Sequence, residues 1–281
     1  MTLWAHALVK NEDRYLWYSV MSVINYVDKI LLWDTGSTDR TVEIIKEIEN
    51  RYPKKVIFRE FGDVDPALFT VARQKMLKET KSDWVIIVDG DEVWWDEKIR
   101  QVRQVIDKKG SLLDSIVSKY CNVIGDVYHY QDESTGKYNI DTKVGYLTIR
   151  AFNRNIKGLE FAKPHGQQGI YDGKGMLLQN RDPIKRYWQE GYSYLHFTNM
   201  QRSTKRAEDL KVPKRGFKLK YEIGHAFDRD YYYPEVFFND KPGEVCDVWS
   251  RADAKYRARA LIYTPLRFIK RKLIQSTKSG Y

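Results

Sequence analysis

Two carboxylates separated by one glycine, Asp89-Gly90-Asp91, follow directly on the apolar run Trp84-Val85-Ile86-Ile87-Val88, and Glu92 comes next. Carboxylates gathered at the end of a buried strand point into one crevice. Hard divalent cations such as Mg²⁺ and Mn²⁺ prefer oxygen donors, and one or two carboxylates completed by phosphate oxygens commonly hold them. A cation there would neutralise the charge that grows on a departing phosphate group, a Lewis-acid role. The same letters also suit an acidic helix cap or a solvated turn, so the surroundings decide.

Those surroundings alternate between two periods. Leu3 to Val9 reads as a buried strand, Asp13 to Tyr26 has helical spacing, and Lys29 to Trp33 is a second buried strand that stops at Asp34. A helix follows to about Asn50, with Asp39 in its first turn, where a negative charge is favoured in any case. A strand from Lys55 to Glu60 and a helix from about Pro66 to Lys81 lead to the run that ends at Asp89. Strand and helix in turn imply an α/β fold with a mainly parallel central sheet covered on both faces. Ligands of such sheets sit beyond the carboxyl ends of the strands, the edge that Asp34 and Asp89 share. After a helix near Glu97–Lys108, residues 112–180 read as short strands and loops, and Tyr192 to Phe197 as one more strand before a helix around Gln201–Leu210.

The net charge is +10, but residues 1–100 carry 15 Lys and Arg against 18 Asp and Glu, while residues 201–281 carry 19 against 10. Charge so localised, without a binding motif, argues against a nucleic-acid partner. Cys121 and Cys246 are the only cysteines, which fits a reducing cytoplasm. The start of the chain lacks the pattern of a secretory signal, and no apolar run is long enough for a spanning helix. The composition shift divides the chain into a domain over 1–210, with halves 1–95 and 96–210, and a small basic, tyrosine-rich extension over 211–281.

Four ordered blocks resemble one known family. Leu8-Val9-Lys10-Asn11-Glu12, Trp33-Asp34-Thr35-Gly36-Ser37-Thr38-Asp39-Arg40-Thr41, Ala72-Arg73-Gln74 and Asp83 to Glu92 are similar to the conserved blocks of family 2 glycosyltransferases with a GT-A, Rossmann-like fold. Ile149-Arg150-Ala151-Phe152-Asn153-Arg154-Asn155 and Tyr194-Leu195-His196-Phe197 extend the likeness more thinly. The resemblance implies a metal-assisted transferase taking a sugar, of the hexosyl type, from a nucleotide-sugar donor, UDP-linked by likeness to the family. It implies that Asp34 contacts the nucleoside, that Asn11 and Glu12 line the same pocket, that Asp89 meets the ribose or the metal, and that Asp91 ligates Mn²⁺ or Mg²⁺ with His196 as a further ligand. Arg73 offers a guanidinium fork to phosphate oxygens. Each has a plainer alternative: an Asx turn at Asp34, helix capping at Asn11 and Glu12, a solvated helix residue at Arg73, a strand histidine at His196.

An inverting transfer needs a base for the acceptor hydroxyl. The family's glutamate after a histidine is missing from Lys163-Pro164-His165-Gly166-Gln167-Gln168, which leaves His165, Glu160 and Asp172 as candidates. The same gap supports the alternative of a non-catalytic nucleotide-sugar or glycan-binding module. A sugar nucleotidyltransferase is disfavoured, because Leu8 to Arg14 is not the glycine-rich loop such enzymes carry.

Residues 254–275 hold seven Lys or Arg and no acid, with Leu266, Ile269 and Leu273 on one helical face and Arg267, Lys270 and Arg271 away from it. A basic amphipathic helix suits an anionic membrane surface. The expected acceptor is then a glycan, a lipid-linked saccharide or a protein, reached by a cytoplasmic enzyme at the inner face of the membrane. The plainer alternative is a helix packed on the domain with a solvated basic face.

Overall fold

The computed structural model describes residues 1–63, 66–163, 168–273 and 278–279. The first half runs β1 (Leu3–Val9), α1 (Leu16–Val23), β2 (Lys29–Asp34), α2 (Thr41–Arg51), β3 (Val56–Glu60), α3 (Pro66–Glu79), β4 (Trp84–Ile87), β5 (Glu92–Trp94) and α4 (Asp96–Lys109). The second half adds β6 (Ser115–Ile124), β7 (Asp126–Tyr130), β8 (Tyr138–Ile140), β9 (Lys143–Gly145), β10 (Leu147–Asn153), β11 (Glu160–Ala162), β12 (Gly169–Tyr171), β13 (Arg186–His196), α5 (Arg206–Lys211), α6 (Arg215–Lys218), β14 (His225–Ala226) and α7 (Ala254–Leu273).

Strands β4, β1, β2 and β3 lie side by side and parallel, as the alternating apolar runs predict. Beyond β4 the same sheet continues through the antiparallel neighbours β10, β6, β7 and β14, and β13 runs parallel to β6 while pairing antiparallel with β5. Side chains alternate across this sheet. Ala5, Ala7, Val9, Ile30, Leu32, Trp84, Ile86 and Val88 share one core with α1, α2 and α4. Leu8, Leu31 and Trp33 face α3 through Ala72 and Met76, and Val85 and Ile87 meet Phe152, Phe161 and Ile170. Of the parallel strands, β1, β2 and β4 are buried on both faces, so the sequence shows continuous apolar runs there.

Three elements differ in extent from their sequence patterns: the strand expected over Tyr192–Phe197 is Arg186–His196, and the helix expected around Gln201–Leu210 is Arg206–Lys211. The helix expected over Asp13–Tyr26 is Leu16–Val23, because residues 11–15 turn to build the sheet edge. Beyond residue 211, Val236, Phe237, Val245 and Val248 join the main core, where Phe237 meets Tyr18 and Phe197 edge-on. Among the described residues no helix is long and apolar enough to cross a membrane.

Candidate active site

The carboxyl ends of β1, β2 and β4 open onto a cleft of about 910 Å³. Its floor includes Val9, Glu12, Thr35, Arg73, Asp89, Gly90 and Asp91, and its far wall comes from residues 212–220 and from Arg267, Lys270 and Arg271 of α7. Asp89 ends the β4 run and is partly buried. Its Oδ1 accepts from Arg73 at 2.7 Å and its Oδ2 from Arg150 at 3.1 Å. Burial alone would raise its pKa, but Arg150 and then Arg73 override that and hold the carboxyl at about 2. Ser19 Oγ donates to the Asp89 carbonyl at 2.7 Å and pins the strand end to α1.

Gly90 is required here by space. A Cβ at this position would lie 2.9 Å from Glu12 Cγ and 3.2 Å from Val9 Cγ1, closer than side-chain carbons approach. The glycine thus lets β4 turn tightly against the β1 loop, and Asp91 arrives beside Glu12. Asp91 is fully buried, and its Oδ2 accepts from Arg202 at 2.6 Å and lies 3.4 Å from His196 Nε2. Against the burial that would raise it, Arg202 and His196 hold the Asp91 carboxyl well below the usual range. His196 reaches this point through strand register: it pairs with Glu92 across β13 and β5, and the Phe197 N–H donates to the Asp91 carbonyl at 2.9 Å. Burial lowers the His196 pKa, against the pull of the Asp91 charge that raises it. Glu92, behind the motif, pairs with Arg150, and burial keeps its carboxyl pKa well above the ordinary value.

The β1 end supplies Glu12, which lies 2.8 Å from Arg215 and 3.1 Å from Arg202. Burial outweighs both partners and raises its pKa to about 7. Arg202 is set in place by the Arg14 N–H, which donates to the Arg202 carbonyl at 3.1 Å, and by Thr204, whose N–H donates to Asp13 at 2.7 Å. Arg215 bridges further, donating to the carbonyls of Asn11 at 2.8 Å and Lys10 at 3.0 Å and to Asp209 at 2.8 Å. Lys218 stands on the same wall, and burial followed by the charge of Arg202 pushes its ammonium pKa down.

Of the residues singled out from sequence, Glu12, Arg73, Asp89, Asp91 and His196 converge on this cleft. Asn11 and Asp34 are buried beside it but are not among its lining. Asn11 takes the left-handed φ of 53°, a conformation asparagine tolerates, and bonds Thr38 N–H and the Glu208 carbonyl. Asp34 closes an Asx-type turn, its Oδ2 accepting from the N–H groups of Gly36 and Ser37, each at 2.9 Å. The turn at Asp34 is its plainer sequence alternative, whereas Asn11 ties the 36–38 turn to α5 and caps no helix, and Thr35 stands at the cleft surface. Glu160 is exposed on the β11–β12 hairpin, and Asp172 accepts from the N–H groups of Lys174 and Met176 and pairs with Arg181. Neither lines the cleft. His165 lies outside the described residues. Arg202 and Arg215 were not anticipated, and Arg150 had been noted only as part of a block. The available signal was that three buried carboxylates, Glu12, Asp91 and Glu92, beside the half-buried Asp89 demand cationic partners.

Among the described residues no three His, Cys, Asp or Glu side chains converge as a fully protein-ligated cation requires. Asp91 and His196 form a two-donor pair, which fits a cation whose other positions belong to phosphate oxygens and water.

A model of the glycosyl transferase family 2 matches residues 8–188. Among curated proteins, the chain is 23% identical over 176 residues to the TPR repeat-containing protein Synpcc7942_0270 of Synechococcus elongatus, covering 63% of this chain and 37% of that protein. It is 28% identical over 178 residues to the SPbeta prophage-derived glycosyltransferase SunS of Bacillus subtilis, covering 61% of this chain and 36% of SunS. The chain thus spans little more than a third of the curated relatives it matches. Solved structures similar to it include S. aureus TarS, with a TM-score of 0.48, 15% identity and coverage of 72% of this chain and 38% of TarS. TarS 1-349 in complex with UDP-GlcNAc has a TM-score of 0.48 at 14% identity, covering 71% of this chain and 59% of that one. The family match spans more than half of the chain and includes the strand ends that build the cleft: the chain belongs to glycosyl transferase family 2.

Proposed function

We propose that the protein transfers a hexose from a nucleotide-sugar, with UDP as the nucleotide, to the hydroxyl of a glycan, lipid-linked or protein acceptor. The observation that carries this reading is the convergence of Asp89, Asp91, Glu12, Arg73 and His196 on one cleft at the carboxyl edge of a parallel sheet. Asp91 and His196 would hold Mn²⁺, which an imidazole donor suits better than Mg²⁺. The cation would neutralise charge on the departing diphosphate. Arg73, Arg150 and Arg202 orient the two motif carboxylates and present fixed positive charge toward the phosphates. Asp34 and Asn11 then serve the nucleoside by shaping the loop that carries Thr35 and Glu12.

For an inverting reaction His165 is the remaining choice of base, since Glu160 and Asp172 face elsewhere. The chain on either side of it is tied to α3, next to Phe69 and Arg73: Thr70 Oγ1 donates to the Lys163 carbonyl at 2.6 Å. A peripheral contact with the inner membrane face is supported by the outer side of α7, where Leu261, Ile262, Leu266, Phe268, Ile269 and Leu273 are exposed. The basic residues Arg267, Lys270 and Arg271 line the cleft, so a membrane contact of α7 would rest on its apolar row.

Calorimetric titration of UDP with and without Mn²⁺, on the wild type and on Asp91→Asn, tests the donor site. We expect Mn²⁺-dependent binding that weakens at least about tenfold in the variant. Binding that survives both chelation and the substitution assigns the phosphates to the guanidinium groups alone. An absence of binding by UDP, GDP and dTDP sinks the transferase reading and leaves a glycan-binding module.

A further inference from the structure

The charge of the cleft exceeds what a sugar donor requires. Twelve Lys and Arg side chains line it, against the three carboxylates Glu12, Asp89 and Asp91. Four further carboxylates, Asp63, Glu92, Asp209 and Glu222, stand behind the lining and pair with Lys10, Arg150, Arg215 and Arg271. Among the described residues Lys218, Arg267 and Lys270 of this lining form no ion pair with a carboxylate. A nucleotide-sugar bound with a divalent cation leaves that surplus in place, because the cation cancels the charge of the two phosphates.

The surplus is not spread evenly. The floor arginines are committed to the motif carboxylates, whereas Lys218, Arg267 and Lys270 stand on the far wall. That wall is held firmly. Tyr256 OH bonds the carbonyl of Glu222 at 3.1 Å, Thr264 Oγ1 accepts from the Ile223 N–H at 2.9 Å, and Ala260 is buried. Arg271 donates to Glu222 at 2.7 Å. Glu222 accepts from Gln131 at 2.7 Å, and Gln131 in turn accepts from Asn122 at 2.6 Å and Asn199 at 2.7 Å, so the basic turn of α7 is anchored to β6. On the same wall Phe217 is 91% exposed at the mouth of the cleft. An unshielded aromatic ring beside fixed cations suits an apolar sugar face next to an anionic group.

We propose that this wall is the acceptor subsite and that the acceptor is a phosphate-bearing saccharide, its phosphate taken by Arg267 and Lys270 and a sugar face by Phe217. This deepens the transferase reading and rests on it. The phosphate can belong to a soluble sugar phosphate or to a lipid-linked saccharide, and the chemistry at the wall is the same.

The test uses the full chain saturated with UDP and Mn²⁺, titrated with glucose 6-phosphate and, as its neutral match, with glucose. We expect glucose 6-phosphate to bind without displacing UDP and at least about tenfold more tightly than glucose. Arg267→Ala combined with Lys270→Ala should weaken glucose 6-phosphate about tenfold more than it weakens UDP, and Phe217→Ala should weaken both sugars. Lys255→Ala, which removes a charge elsewhere on α7, should change neither. Vesicles of phosphatidylcholine with and without phosphatidylglycerol separate the sources: retention on the anionic vesicles, competed by glucose 6-phosphate, points to a lipid-linked acceptor, and indifference to vesicles to a soluble one. The inference is overturned if glucose binds as well as its phosphate, if glucose 6-phosphate merely expels UDP, or if Lys255→Ala has the same effect as the wall variant. A wild type that binds no UDP removes the transferase reading and this inference together.

Discussion

Arg150 serves two acids at once, donating to Asp89 and to the fully buried Glu92 while its Nε donates to Tyr194 OH at 3.0 Å. Removing one partner of a buried ion pair strands the other, which costs about 3–5 kcal/mol. Arg150→Ala should therefore lower stability by about that much in urea unfolding. His6 behaves in the opposite sense. It is fully buried in β1, with Nε2 2.6 Å from Thr80 Oγ1, and burial depresses its pKa from 6.5 to about 3. Below pH 6.5 the unfolded chain takes up a proton that the folded chain refuses, so stability falls as the pH falls. The loss amounts to about 2 kcal/mol by roughly pH 5. His6→Gln keeps a polar partner for Thr80 and should flatten this part of the pH dependence, as thermal melts at pH 7 and 5 will show. A flattening that fails to appear would mean that other groups control acid unfolding. At this scale the acids of the site were legible in the sequence, because strand ends and motif spacing are local. Their arginine partners were not, because Arg202 lies 111 residues from Asp91 along the chain and Arg215 lies 203 from Glu12.

At the scale of elements, β1, β2 and β4 were legible almost to the residue, since strands buried on both faces leave unbroken apolar runs, and the edge strand β3 was legible from Val56-Ile57-Phe58. The antiparallel strands between 112 and 180 were not: β8, β9, β11 and β12 are three residues each and too short to establish an alternating pattern. The helix α7 was legible as a helix but not in its orientation. Its basic residues turn inward because the cleft needs them, and Leu266 and Ile269 are left 56% and 54% exposed. If that row meets lipid, Leu266→Glu with Ile269→Glu should reduce sedimentation with phosphatidylglycerol vesicles at least about tenfold, from the loss of two buried aliphatic groups. Thermal stability should be unchanged, since both side chains are exposed, and equal sedimentation would locate the membrane contact elsewhere or remove it.

For the whole molecule, the sequence total of +10 hides its distribution: the N-terminal hundred residues are slightly acidic, yet the cleft they floor is strongly basic. The basic groups arrive from later in the chain and gather at one opening. A concave surface of one sign draws oppositely charged ligands, an effect that salt screens. The association rate of UDP should therefore fall about tenfold as ionic strength rises from roughly 0.05 to 0.5 M. Stopped-flow measurement gives this directly, and a rate indifferent to salt would mean that the basic wall does not steer the donor.

Arg215 gives this architecture a temporal side. The loop at the end of β1 emerges from the ribosome with Glu12 exposed to water, and Asp91 follows some eighty residues later. The guanidinium groups that make their burial tolerable sit at positions 202 and 215, so the sheet can assemble well before its crevice can dry out. The cleft thus matures after the sheet that floors it, and a nascent chain halted before Arg215 would carry the scaffold without the means to close the crevice over Glu12 and Asp91.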